Sequence, residues 1–204
     1  MRTPFRRTSF LVVAALALTA TLAAQTRLDV RDIEDHPFNA AFNSGGKLRM
    51  YLRSGDFRIE GSDKNEITVQ LRSRYADRAA DMRVQLDGTN DEANLTVSGG
   101  PRNDLAVTIA VPRKTSLFVR MSAGNLELRQ ITGNKDAELH AGEMIVDVGQ
   151  AADYSHVDAS VYSGGLEASP FGESHGGLFR SFQKEGNGHY YLHAHVGAGD
   201  LTLQ

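Results

Sequence analysis

The sequence predicts an all-β chain whose short strands stack as coils, a β-solenoid or β-roll-like fold with glycine at its turns. Three observations point there. Apolar residues recur at every second position over most of the chain, the pattern of strands with one buried face. An eight-residue pattern (apolar, any, small, Gly, polar or Gly, apolar, any, apolar) occurs five times. Only Tyr75 to Asp81 has a mildly helical pattern, and that stretch is short.

The elements follow in chain order. Residues 1–24 read as a signal peptide. Arg2, Arg6 and Arg7 form its basic start, Phe10 to Leu22 its apolar stretch, and Leu22-Ala23-Ala24 a small-residue cut before Gln25. The alternative is a retained anchor, for which the apolar stretch is short. Cleavage takes three of the 22 Lys and Arg and none of the 25 Asp and Glu, moving the formal charge from −3 to −6. That balance argues against a nucleic-acid partner, which calls for a basic footprint. No second long apolar run follows, so no membrane span is expected after cleavage. The chain has no cysteine, which excludes disulfides, thiolate metal sites and thiol nucleophiles. An exported chain of this kind is held by packing and backbone pairing alone.

Residues 25–46 form a lead-in segment with weak periodicity, ending in the turn signal Asn43-Ser44-Gly45-Gly46. A single β domain is expected over residues 47–204. Its alternating runs include Leu48/Met50/Leu52, Ile67/Val69/Leu71, Met82/Val84/Leu86 and Leu105/Val107/Ile109/Val111. Pro112 ends the last of these, since proline cannot donate to a ladder. The repeat reads LRSGDFRI at 52–59, MSAGNLEL at 121–128, LHAGEMIV at 139–146, VYSGGLEA at 161–168 and VGAGDLTL at 196–203. Its glycines are Gly55, Gly124, Gly142, Gly164 and Gly199, spaced by 69, 18, 22 and 35 residues. A period near 20 without helical pattern suggests coils that bury a common core by stacking. A corner between two strands takes glycine for its positive φ or close backbone approach. Residues 66–111 fit the coil pattern less well and read as antiparallel strands or hairpins joining the same β structure. Leu201 and Leu203 still match the repeat, so the terminal strand is expected inside the sheet.

These five turns, with VTIAVPRKTSLFV at 107–119, AGNLELRQITG at 123–133 and the C-terminal segment from Gly176, resemble the DUF4097 family of bacterial β-strand-repeat proteins, described as adhesins. The resemblance covers about residues 40–204. It implies a right-handed β-solenoid or β-roll-like fold in the cell envelope and carries over no catalytic residue.

His193 and His195 alternate on one strand and share a face, with no carboxylate partner visible in the sequence. His189 has the same parity but lies ~20 Å away along a strand, too far for one ion. A solvated strand face is the stronger reading, and no metal site is assigned. If the coils stack, the residues after the turn glycines form a column: Asp56, Asn125, Glu143, Gly165 and Asp200. Oxygen ligands could hold calcium there, but Asp and Asn are ordinary turn residues, so the column is read as structural. No serine nucleophile motif or phosphate loop appears. Phe179, Phe182, Tyr190 and Tyr191 cluster late and read as packing or end-capping more readily than as a ligand platform.

The expectation is an exported, non-enzymatic β-repeat protein of the bacterial cell envelope, periplasmic or extracellular. It would act as an adhesin or structural binding module for an envelope protein or glycan, with no cofactor. Two alternatives stand beside it. One is a polysaccharide-acting enzyme, with Asp56 and Glu143 as acids by column position alone. The other is an accessory to an envelope-stress sensor.

Overall fold

The computed structural model of the chain describes residues 26–31, 37–72, 82–100 and 105–204. The expected signal peptide and the weakly helical stretch from Tyr75 to Asp81 lie outside the described residues. The fold is all-β, one 13-stranded sheet that does not close on itself.

The alternating runs become strands as expected. β1 (Thr26–Arg31) and β2 (Phe38–Ala41) lie in the lead-in, and β3 (Lys47–Leu52), β4 (Gly55–Ser62), β5 (Glu66–Leu71), β6 (Arg83–Gly88), β7 (Glu92–Ser98) and β8 (Ala106–Pro112) follow. The remaining strands are longer: β9 (Ser116–Arg129), β10 (Lys135–Val146), β11 (Tyr154–Ala168), β12 (Glu173–Glu185) and β13 (Tyr190–Leu203). Each repeat places its glycine where a strand bends from one wall of the core to the other. In β9 the inward residues are Leu117, Val119 and Met121 before the bend, then Leu126 and Leu128 after it. The five-residue step across the corner inverts the period-2 phase, which keeps the apolar face inward on both walls. β10 repeats this with Ala137 and Leu139, then Met144 and Val146. The strands thus share one apolar core between the two walls.

Six parallel rungs form the middle of the stack, in the order β7 with β8, β3 with β4, β9, β10, β13 and β11. Antiparallel strands flank them. On one side β6 and β5 pair with β7 and β8, and β1 and β2 pair outside those. On the other side β12 pairs with β11. The chain does not lay down these rungs in sequence. It builds the rung of β3 and β4, turns away to build β5 to β8 on one flank, and returns with β9 on the other. That excursion accounts for the spacing of 69 between Gly55 and Gly124. The spacing of 35 before Gly199 arises because β12 intervenes and β13 then inserts between β10 and β11. The terminal strand therefore sits inside the sheet, as the pattern of Leu201 and Leu203 predicts. Within residues 66–111, β5 and β6 are antiparallel as expected. β7 and β8 pair antiparallel with them and in addition form, beside β3 and β4, a further parallel rung that carries no copy of the repeat motif.

The five corner glycines meet in one ladder. Gly124 pairs with Gly55 and Gly142, Gly142 pairs with Gly199, and Gly164 lies against Gly199. Their φ values run from +111° at Gly124 to +154° at Gly55. A Cβ on Gly124, Gly142, Gly199 or Gly164 would run into the carbonyl oxygen of the neighbouring rung's glycine. Two constraints therefore select glycine at the same atom: a positive φ and the close approach of a backbone carbonyl. The small residues before them, Ala123, Ala141, Ala198 and Ser163, also lie in register.

Candidate functional site

The outward side chains of the first wall form two rows across the parallel rungs. One runs Arg49, Phe118, Asp136, His193, Asp158, and the other Tyr51, Arg120, Glu138, His195, Ser160. Alternation puts both rows outside because Leu192, Ala194 and Val196, between and beside the histidines, are buried. His193 and His195 thus share an outward face as predicted, while His189 precedes the strand.

The register supplies the carboxylates that the sequence did not show beside His193. Its Nε2 lies 3.8 Å from Glu138 Oε1 and its Nδ1 3.6 Å from Asp158 Oδ2. Ligand atoms of Asp136, Glu138 and His193 all fall within 4.8 Å of one another. A cation already serves these acids. Arg120 Nη1 donates to Asp136 Oδ1 at 2.8 Å, and Nη2 lies 3.0 Å from Glu138 Oε1. The same guanidinium stacks 3.6 Å above the Phe118 ring, whose edge meets Tyr51 at a centroid distance of 6.2 Å. Arg120 is thereby held on three sides. His195 Nδ1 pairs with Ser160 Oγ at 2.9 Å. This serine–histidine contact was not visible in the sequence because β11 and β13 are brought together only by the inserted strand. Among the described residues no carboxylate lies within ion-pair distance of His195, so the pair lacks the orienting acid of a nucleophilic triad.

Beside the second row the wall carries a groove of about 520 Å³. It is lined by Tyr51, Arg120, Glu138, His140 and His195 and bottoms on the strands at Leu52, Met121 and Leu139, whose side chains are buried in the core. The depression follows from the sequence of the next row, where Ser122 and Gly197 flank His140 and fill little space. The Tyr51 ring is 45% exposed at one end.

The predicted column on the second wall exists. Asp56 pairs with Asn125, Asn125 with Glu143, and Glu143 with Asp200. Asn125 Nδ2 donates to Asp56 Oδ1 at 2.8 Å, and the Gly165 N–H donates to Asp200 Oδ1 at 2.8 Å. These side-chain oxygens stitch adjacent rungs, a contact across the stack and not the local turn bond expected of Asp and Asn. In the next row Glu127 is buried enough to favour its neutral form, but hydrogen bonds and charge from Arg58 and Arg129 outweigh this and hold it below the usual range.

The late aromatics do not make one platform. Phe182 is buried and packs on Phe171, whereas Phe179 is exposed and meets Tyr162 edge-on at 4.7 Å. A buried lysine–tyrosine pair was not anticipated. Lys135 is 1% exposed, its ammonium donates to Tyr154 Oη, and that hydroxyl donates to Val148 O at 3.0 Å. Burial lowers the lysine pKa to about 8, partly offset by Asp147 and Asp153. The signal was present, since Lys135 stands in the inward phase of Ala137 and Leu139.

No family model and no curated protein matches the chain, so the resemblance to the DUF4097 family rests on its motifs. One solved structure is similar in fold: the crystal structure of a putative cell adhesion protein from Clostridium sporogenes. It shares 10% identity at a TM-score of 0.51, over 89% of this chain and 99% of that one. Among the described residues no helix is long and apolar enough to cross a membrane.

Proposed function

We propose that this chain is an exported, non-enzymatic binding module of the bacterial cell envelope, adhesin-like in role and periplasmic or extracellular in place. The observation that carries the reading is the outward face of the first wall. Across adjacent rungs it presents aromatic and polar side chains fixed by one another, with Arg120 bridging the acids Asp136 and Glu138. A rigid, extended face of this kind suits recognition and needs no deep pocket. The fold shared with a putative cell adhesion protein supports the same role, and the basic, apolar N-terminus supports export. The coils fit a right-handed β-solenoid, because parallel crossovers take that hand as a rule. Capture of envelope fractions on immobilised protein tests the role. Saturable retention of an envelope glycan or protein is expected. No specific retention at micromolar protein would overturn it.

A further inference from the structure

We propose that the groove beside Tyr51, Arg120, Glu138 and His195 binds a short, uncharged stretch of glycan. This rests on the binding-module reading and gives it a ligand class.

Three observations carry it. The first is charge. Arg120 is shared between Asp136 and Glu138 at 2.8 and 3.0 Å, so the one arginine at the groove is not free to recruit a phosphate or carboxylate, and the negative charge left in excess repels them. The adjacent carboxylate is equally engaged, and a free cation would compete with an arginine already in place. An uncharged ligand avoids both conflicts.

The second is chemical pattern. Leu52, Met121 and Leu139 are buried beneath the groove, so the half-exposed Tyr51 ring at one end is the apolar group it exposes. Polar groups of Arg120, Ser122, Glu138, His140 and His195 stand around it. A sugar ring has the matching halves: a face of C–H groups for the aromatic ring, and hydroxyls that donate and accept at its rim. The Tyr51 ring is braced against Phe118, which lowers the cost of ordering it on binding.

The third is direction. The groove crosses β3, β9, β10 and β13, and each of these strands is paired on both sides. No strand edge is open there, so an extended peptide could not satisfy its backbone N–H and C=O groups by joining the sheet. A glycan carries no such requirement.

The test uses the purified protein with tetrasaccharides of glucose, galactose, mannose and N-acetylglucosamine, followed by calorimetry and by amide shifts in NMR. An oligogalacturonate is the anionic arm and an unstructured peptide mixture the peptide arm. At least one neutral tetrasaccharide is expected to bind saturably, with shifts centred on Tyr51, Arg120, Glu138 and His195. Tyr51→Ala should weaken it about tenfold, as loss of a stacked ring implies, and His140→Ala should weaken it less. Tyr191→Ala, at an exposed tyrosine outside the groove, should leave binding unchanged. Thermal melts confirm that each variant is folded. No neutral binding, tighter binding of the anionic or peptide arm, or binding unaffected by both groove variants overturns the proposal. If the wild-type protein retains envelope material and the Tyr51→Ala variant retains it equally, the groove proposal fails while the binding-module reading stands. If the wild type retains nothing, that reading fails.

Discussion

The two edges of the stack solve the same problem by different means. Each coil must turn twice, once at its corner and once on its way back to the next rung. At the corners the five repeats use one solution, glycine against glycine, because the backbones approach too closely for a side chain. At the return edge the turns differ in length and sequence, and buried polar side chains serve the loop carbonyls. Thr115 Oγ1 donates to Pro112 O at 2.6 Å, and Lys135 and Tyr154 form the chain that ends on Val148 O. Repetition of geometry selects one residue type, whereas irregular turns need individual hydrogen bonds. The corner edge should therefore be intolerant of any side chain, and the return edge sensitive to polarity and pH.

The largest effect is expected from deleting residues 201–204, which touches both edges. Leu201 and Leu203 are fully buried, and Gln204 bonds Val146 and Val148 at the return edge. The loss should be about 5 kcal/mol or more, counting two buried leucines and the pairing of an interior strand. Chemical denaturation measures it, and an unchanged midpoint would place the strand outside the cooperative unit.

Gly142→Ala comes next. Its φ of +132° and the Gly124 carbonyl at the Cβ position act together, for a cost of about 4 kcal/mol. Gly149 is the matched control at the return edge. Its φ is +71° with open space around it, so Gly149→Ala should cost only about 1 kcal/mol. Equal costs at the two sites would mean that conformation alone, and not the close approach, selects the corner glycines.

Between these lies the pH dependence set by Lys135. Its pKa in the folded chain is about 8, against 10.5 for the unperturbed side chain. Below pH 8 both states are protonated and the folded state carries the full penalty of a buried charge. As pH rises above 8 the folded state releases its proton first, the unfolded chain binds more protons, and stability increases. The gain should reach about 2 kcal/mol by pH 10. Above pH 10 the trend reverses, because burial holds the Tyr154 hydroxyl well above its usual range and the unfolded tyrosine ionises first. Lys135→Met should abolish the rise between pH 8 and 10 and leave stability at pH 7 equal or higher, since Tyr154 can still donate to Val148. Melting curves across this range decide it.

Much of this was legible in the residues. The inward positions of the quoted strand runs follow from alternation alone, since a strand has only two faces. The corner glycines and the column after them were legible because each repeat is local. The site was legible only in part. His193 and His195 could be placed on one face, but their neighbours Glu138, Asp136 and Asp158 depend on β13 lying between β10 and β11. The extra rung of β7 and β8 escaped notice because its turn does not use the repeat.

The sequence by itself determined which residues of the alternating runs face the core, where each repeat-bearing coil bends, and that glycine stands at each repeated bend. These are short-range consequences of steric limits on φ and of the two-residue strand period. Only the tertiary structure decided the order of the rungs, and with it the ion-pair network and the groove. Order depends on pairing between strands distant in the chain, and strands that share one pattern of inward residues carry no local signal of which neighbours they take.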